Sequence, residues 1–416
     1  MNRVNTNSLL VLAALAVVAV IAAIIVTSNR EPASESPPGP SVALPELRDR
    51  INDVTGVTVI AAEKKPVVTL VRGDQGWTIK EKGDYPANTG KLRELLLKIA
   101  GASLLEPKTE NAERYPELGV EDVERQDASG VLLSFDGLGK PVQLIVGKIS
   151  RQADGTFVRR PGDKQSWLAK GALQVEREPE QWLDKALADI PSDRIAEVVL
   201  TRPSGKPLRL YKTAPDDKDY KVADIPSGRE LKDASAVSAL ASTLSGLNLV
   251  DALPDGSSSP PAQDQIVKAR YRTFDGLTVD VQAWKQDDKR LARFSAMLDN
   301  AVADAHIQAE QAKAKADYEA KNKEAAKSTE ENTEQSANTP DPAPLAVTDP
   351  AKDREQRLEA LNREVETLNR RFARWSFVIP EYKYANMDKS LDDVLNPVAD
   401  KKDGPKEKQT KKSGKR

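Results

Sequence analysis

Phe135-Asp136-Gly137-Leu138, with Val142, Leu144 and Val146 at alternate positions after it, and Phe274-Asp275-Gly276-Leu277, with Val279, Val281 and Ala283 after it, are one passage written twice, about 140 residues apart. Asp-Gly between two alternating runs predicts a tight antiparallel hairpin, because such a turn needs residues that tolerate positive φ. Upstream the copies still align. Val68-Thr69-Leu70-Val71-Arg72 matches Leu208-Arg209-Leu210-Tyr211-Lys212, and Trp77-Thr78-Ile79 matches Tyr220-Lys221-Val222. Between these passages the apolar residues switch to helical spacing, Leu92, Leu95, Leu96, Ile99 in one copy and Val237, Leu240, Ala241, Leu244 in the other. Each helix then runs into a glycine, Gly101 or Gly246, expected to end it in the left-handed conformation. An amphipathic helix among antiparallel strands needs a sheet to cover, so each copy reads as an α+β module. The modules are placed at 51–191 and 192–395.

The second copy is interrupted after Phe294 by an insertion at about 296–371. Residues 291–332 are rich in Ala, Lys, Glu and Gln without Gly or Pro, a composition that predicts a helix of roughly 60 Å. Four prolines between 339 and 350 stop it. A returning helix places Leu358, Leu361, Val365, Leu368, Phe372 and Trp375 three or four residues apart, a narrow seam of the coiled-coil type. The outgoing face is thinner, with Leu291, Phe294, Leu298 and Val302 followed mostly by alanine. Two readings stay open: the helices pair with each other or lie on the second module, or they form an arm that offers an apolar stripe to a partner.

The amino-terminal part is of another kind. Residues 9–26 are eighteen consecutive apolar residues without a charge, reaching about 27 Å as a helix and so just crossing a bilayer core. The expected layout is a cytoplasmic tail at 1–8, a transmembrane anchor at 9–27 and a Pro-rich spacer at 28–50. Arg3 and the free amino group favour the cytoplasm for the short tail, against Arg30 with Glu31 on the other flank. The expected location is the bacterial inner membrane, single-pass, with the bulk of the chain periplasmic. At the other end, 396–416 reads as a disordered basic tail: residues 400–416 hold eight Lys or Arg against three acids and no apolar side chain. Such a tail suits an anionic surface as well as a purely solubilising role.

Composition removes several chemistries. No cysteine is present, which excludes disulfides, thiolate metal sites and a Cys nucleophile. A net charge of −2 gives no general case for nucleic acid. The single histidine, His306, lies in the Ala-rich run and is expected to face solvent. Asp136 and Asp275 read as turn residues, and Asp216-Asp217 and Asp287-Asp288 as solvated loops, since working acid/base pairs need burial or charge coupling. Gly147-Lys148-Ile149-Ser150 lacks the spaced glycine and the following hydroxyl of a phosphate-binding loop. Trp77, Trp167, Trp182, Trp284 and Trp375 are expected in cores or interfaces. No catalytic, cofactor-binding or metal-binding residue is assigned, and the chain is expected to be no enzyme.

The chain resembles a bacterial domain-of-unknown-function family of single-span proteins with tandem repeats. The resemblance rests on Gly76-Trp77-Thr78-Ile79, Tyr85-Pro86-Ala87-Asn88 before a Leu-rich helix, Tyr115-Pro116-Glu117-Leu118-Gly119-Val120, Leu144-Ile145-Val146-Gly147-Lys148, and the closing Arg374-Trp375-Ser376-Phe377-Val378-Ile379-Pro380-Glu381-Tyr382-Lys383. Members are often encoded beside auxiliary gliding-motility-type ABC transporter components. The resemblance therefore implies a non-catalytic periplasmic accessory or scaffold protein of an ABC-type transport system, with permease or ATPase subunits as partners. The alternative is a periplasmic receptor for a small molecule or glycan, bound in a cleft between the two modules.

Overall fold

Alternation of apolar and polar residues becomes a mainly antiparallel α+β architecture in the computed structural model, which describes residues 41–257, 260–331 and 342–397. The anchor at 9–27, the tail at 1–8, most of the spacer, the turn of the insertion and the basic end lie outside the described residues. Among the described residues no helix is long and apolar enough to cross a membrane.

In chain order the strands are β1 (Gly56–Ala61), β2 (Lys65–Gly73), β3 (Gly76–Ile79) and β4 (Tyr85–Pro86), followed by helix α1 (Thr89–Ala100). Then come β5 (Leu104–Pro107), the short α2 (Tyr115–Leu118), β6 (Val131–Asp136), β7 (Val142–Ile149), β8 (Gly155–Arg159), β9 (Ser166–Lys170) and β10 (Ala186–Ala188). The chain continues through β11 (Ile195–Thr201), β12 (Leu208–Tyr211), β13 (Lys221–Val222), α3 (Ala234–Ala241), β14 (Leu247–Asn248), β15 (Asp251–Pro254), β16 (Val267–Thr273), β17 (Leu277–Gln286) and β18 (Lys289–Leu298). Last are α4 (Asn300–Glu331), α5 (Leu345–Thr348), α6 (Pro350–Phe372), β19 (Trp375–Val378), α7 (Glu381–Met387) and α8 (Leu391–Val394).

These elements form two compact units whose limits are discontinuous in sequence and differ from the consecutive stretches 51–191 and 192–395. Among the described residues, the first takes 41–55, 59–65 and 94–175, and the second takes 56–58, 66–93 and the remainder from 176.

In the first unit five antiparallel strands run in the order β6-β7-β8-β9-β5. Leu133, Phe135, Leu144 and Val158 are buried on them. The Tyr115–Leu118 turn lies against this sheet and is closed by Gly119 at φ 70. Two glycines make room for it: a Cβ at Gly130 would stand 2.0 Å from the Gly119 carbonyl oxygen, and one at Gly147 would stand 2.4 Å from that of Leu118. Lys148 Nζ donates to the carbonyls of Pro116 and Glu117 at the end of the same turn. The Gly-Lys pair is thus a seat for a helical turn.

The second unit holds an eight-stranded antiparallel sheet ordered β13-β12-β11-β16-β17-β18-β19-β15. Val198, Leu200, Leu210, Tyr271, Val281 and Phe377 are buried in it. The helix faces read from sequence are inward: Leu92, Leu95, Leu96 and Ile99 on α1, and Val237, Leu240 and Ala241 on α3 with Leu244 just beyond it, are all buried. Asn88 Oδ1 accepts from the Lys91 amide to cap α1, and Asp233 does the same for Ser235 in α3.

Three local expectations are corrected. Residues 291–298 do not begin a helix: β18 pairs residue for residue with β17, from Leu277 opposite Leu298 to Gln286 opposite Lys289, and sheet pairing overrides the helical composition. The helix starts only at Asn300, where Asp299 Oδ1 accepts from the amides of Ala301 and Val302. Trp375 is likewise no seam residue, because α6 ends at Phe372, Arg374 adopts φ 73 and Trp375 opens β19. Of the two helix-ending glycines only Gly246 is left-handed, at φ 53.

The insertion occupies 299–374, between β18 and β19. Its returning helix α6 lies on β18: the Phe372 and Phe294 rings stand 5.2 Å apart, and Leu368 and Phe372 are buried. Leu358, Leu361 and Val365 are half-buried. Among the described side chains of the outgoing helix α4, Ala303 and Ile307 are the buried ones. Arg354 pairs with Asp304 at 2.8 Å, and Gln311 Nε2 donates to Asp353 and to the Pro350 carbonyl, both at 2.8 Å.

Candidate functional site

Of the acids singled out in the sequence, Asp217 and Asp275 hold their carboxylates on structural partners. Asp136 is exposed at the end of β6, and its carbonyl accepts from the Thr55 amide. Asp217 Oδ2 accepts from the amides of Thr213 and Ala214, which hold its carboxyl below the usual range, while Asp287, at φ 51, makes the turn between β17 and β18. Asp275 accepts from Arg194 Nε at 2.7 Å and from the Thr273 hydroxyl. His306 is half-buried rather than solvent-facing, and lines a concavity of about 270 Å³ with Arg194, Phe274 and Asp275. Trp182, Trp284 and Trp375 are buried. Among the described residues no group of three His, Cys, Asp or Glu could hold a metal ion.

Two charged clusters that sequence reading missed tie distant segments of the second unit together. In the first, Lys82 Nζ reaches Asp251 Oδ1 at 2.7 Å and the Glu180 carboxylate, with Lys82 and Asp251 side chains only 11% and 10% exposed. Burial pulls the Lys82 ammonium down, but the bonds from Asp251 and Glu180 outweigh it and hold it above its ordinary value. Burial pushes Glu180 up, and the bond from Lys82 more than reverses this. Beside this cluster Tyr85 sits edge-on to Trp375, with centroids 5.0 Å apart. In the second cluster Arg194 grips Glu364 of α6 through both guanidinium ends, at 2.7 and 2.8 Å, while its Nε holds Asp275. Burial opposes the Arg194 charge, yet the two carboxylates keep it above its ordinary value. Partners 169 and 170 positions apart leave no spacing signal.

Asn369 of α6 does something different. Its Oδ1 accepts from the Ala296 amide and its Nδ2 donates to the Ala296 carbonyl, both at 2.8 Å. These are edge groups of β18 that β19 does not reach, since β19 meets β18 at Leu291 and Ala292. A side-chain amide thus stands in for a neighbouring strand.

Between residues 312 and 323 the outgoing helix is mostly exposed, with Ala314 and Tyr318 half-buried. Tyr318, Lys315, Asn322 and Val347 line an open concavity of about 450 Å³ on this arm. No tryptophan lines it, nor the sheet-face concavity of about 500 Å³ described below. Over residues 299–311 the two helices are tied to each other and, through α6, to the second sheet, while residues 312–323 of α4 are mostly exposed.

Residues 77–269 match the family model described as a domain of unknown function (DUF4340), in keeping with the resemblance to a domain-of-unknown-function family. No curated protein and no solved structure matches the chain.

Proposed function

We propose that this chain is a membrane-anchored, non-catalytic accessory or scaffold protein of an ABC-type transport system, held in the bacterial inner membrane by residues 9–27 with its bulk in the periplasm. The observation that carries the reading is the arm. Leu368, Phe372, Asn369 and Glu364 fix α6 to the second sheet, while residues 312–323 of α4 leave most of their surface to solvent. A firmly rooted, extended helical surface suits capture of a protein partner, because little ordering remains to be done on binding.

The reading includes a duplication. The order β6-β7-β8-β9-β5 in one unit and β16-β17-β18-β19-β15 in the other support two copies of one module, each with a helix, α1 or α3, before its outer strand β5 or β15. In this reading the arm is an addition to the second copy only.

Crosslinking in native membranes, followed by capture of the full chain on a carboxy-terminal tag, tests the role. Stoichiometric recovery of permease or ATPase subunits is the expected result. A preparation without a protein partner would sink the scaffold reading and turn attention to a small-molecule or glycan receptor.

A further inference from the structure

The outward face of the second sheet carries an arrangement that fold stability does not require. Lys268, Arg270 and Arg272 occupy alternate positions of β16 and so share one face, roughly 7 Å apart. Ala269 and Tyr271 between them are buried in the core, which fixes the backbone that presents the three cations. The register gives each a defined pair of neighbours. Lys268 lies between Thr201 and Gln282, Arg270 between Val199 and Asp280, and Arg272 between Glu197 and Thr278.

Two of the cations are already oriented. Arg270 makes two bonds to Asp280, at 2.6 and 3.0 Å, and Arg272 bonds Glu197 at 2.8 Å. Glu197 is shared with Arg209, so Arg209, Lys268, Arg270 and Arg272 face two carboxylates, a surplus of two positive charges in a chain whose net charge is −2. Lys268 has no ion-pair partner among the described residues. Like charges set side by side on one sheet face oppose folding, so a surface serving only solubility would interleave the signs more evenly. Lys268, Arg270, Arg272 and Asp280 line a concavity of about 500 Å³, the size of a small-ligand site, where the Thr201, Gln282 and Ser295 side chains add neutral hydrogen-bonding groups.

We propose that this concavity is an anion site for a phosphate-type dianion, either free or as the headgroup of a lipid. Lys268 supplies the uncommitted charge, and the oriented guanidiniums of Arg270 and Arg272 supply directed N–H donors. The site lies within one unit and does not depend on the docking arm.

The test uses the full chain in detergent and in nanodiscs. Inorganic phosphate is titrated calorimetrically, and reactivity of the Lys268 amine toward an acylating reagent is followed by mass spectrometry, with exposed Lys206 as the reference. Saturable phosphate binding with selective protection of Lys268 supports a soluble ligand. Protection of Lys268 only in phosphatidylcholine nanodiscs that contain phosphatidic acid, and not in phosphatidylcholine alone, supports the headgroup. Lys268→Gln should weaken whichever binding is seen by about tenfold or more, the scale of one charge-assisted bond, and Lys206→Gln should leave it unchanged. Because Lys268→Gln removes repulsion, its melting temperature without ligand should equal or exceed that of the parent. Absence of Lys268 protection in both settings, or binding indifferent to Lys268→Gln, would overturn the proposal.

Discussion

In the first unit β8 and β9 are joined by residues 160–165 and pair at five positions, whereas in the second β18 and β19 are joined by 299–374 and pair at two. The short connection lets main chain satisfy main chain. The long one separates the strands, and side chains of the inserted helix take over: Asn369 completes the Ala296 peptide groups, Phe372 covers Phe294, and Glu364 receives Arg194. The comparison teaches that adjacent strands of an antiparallel sheet can be joined by a connection as long as this arm, provided side chains at its root supply the contacts that main-chain pairing does not. Loop length itself opposes folding only weakly, by about 0.6 kcal/mol per doubling.

The largest expected effect comes from the root. Phe372→Ala should destabilise the second unit by about 3–5 kcal/mol, since it removes a buried aromatic that α6 lays on β18. Chemical denaturation would measure it, and a change below about 1 kcal/mol would mean that α6 is not part of the fold. A smaller loss, about 2 kcal/mol, is expected for Asp251→Ala, which leaves the nearly buried Lys82 ammonium with Glu180 alone. Asn369→Ala should lose about 1–2 kcal/mol by leaving the Ala296 groups without their partner, and hydrogen exchange at the Ala296 amide should rise with it.

Acidity should act on the Lys82 cluster with a definite sign. Glu180 is held below its ordinary range when folded, so its contribution is present above that range and is lost as pH falls through the folded value. Lys82 is held above its ordinary range, so its contribution survives until pH rises past the folded value. Melting temperature against pH should therefore plateau between the two, and Lys82→Met should flatten the acid limb. An unchanged acid limb would remove the cluster from the account. Smallest of all, replacing 312–348 with a short Gly-Ser link, which keeps the Asp349 cap of α6, should alter stability by about 1 kcal/mol or less, because Gln311 already touches the Pro350 carbonyl and the shortened ends meet.

The chain itself discloses the periodic part of this architecture. Alternating runs, the two amphipathic helix faces and the Asp-Gly turn after β16 could be read because each depends on neighbours a few positions apart. The β18 strand was hidden, since Leu291 and Phe294 suit either a helix or a strand and the Ala-rich stretch behind them biased the choice toward helix; the decisive term is the register with β17. Lys82, Glu180 and Asp251 look like ordinary surface charges in sequence, and only folding makes them neighbours. Asn369 is equally silent: nothing near it tells that its amide completes a sheet edge. Lys268, Arg270 and Arg272 stand at alternate positions in the chain, but the excess of charge on one face emerges only when the flanking strands are in register.

A photo-crosslinking residue at Tyr318, on the arm, and another at exposed Lys206, away from it, would test the central claim most directly in native membranes. A discrete adduct with a permease subunit from Tyr318, and none from Lys206, is the expected result. Adducts of equal yield from both positions, or none from Tyr318 while the partner is still captured on the carboxy-terminal tag, would contradict it.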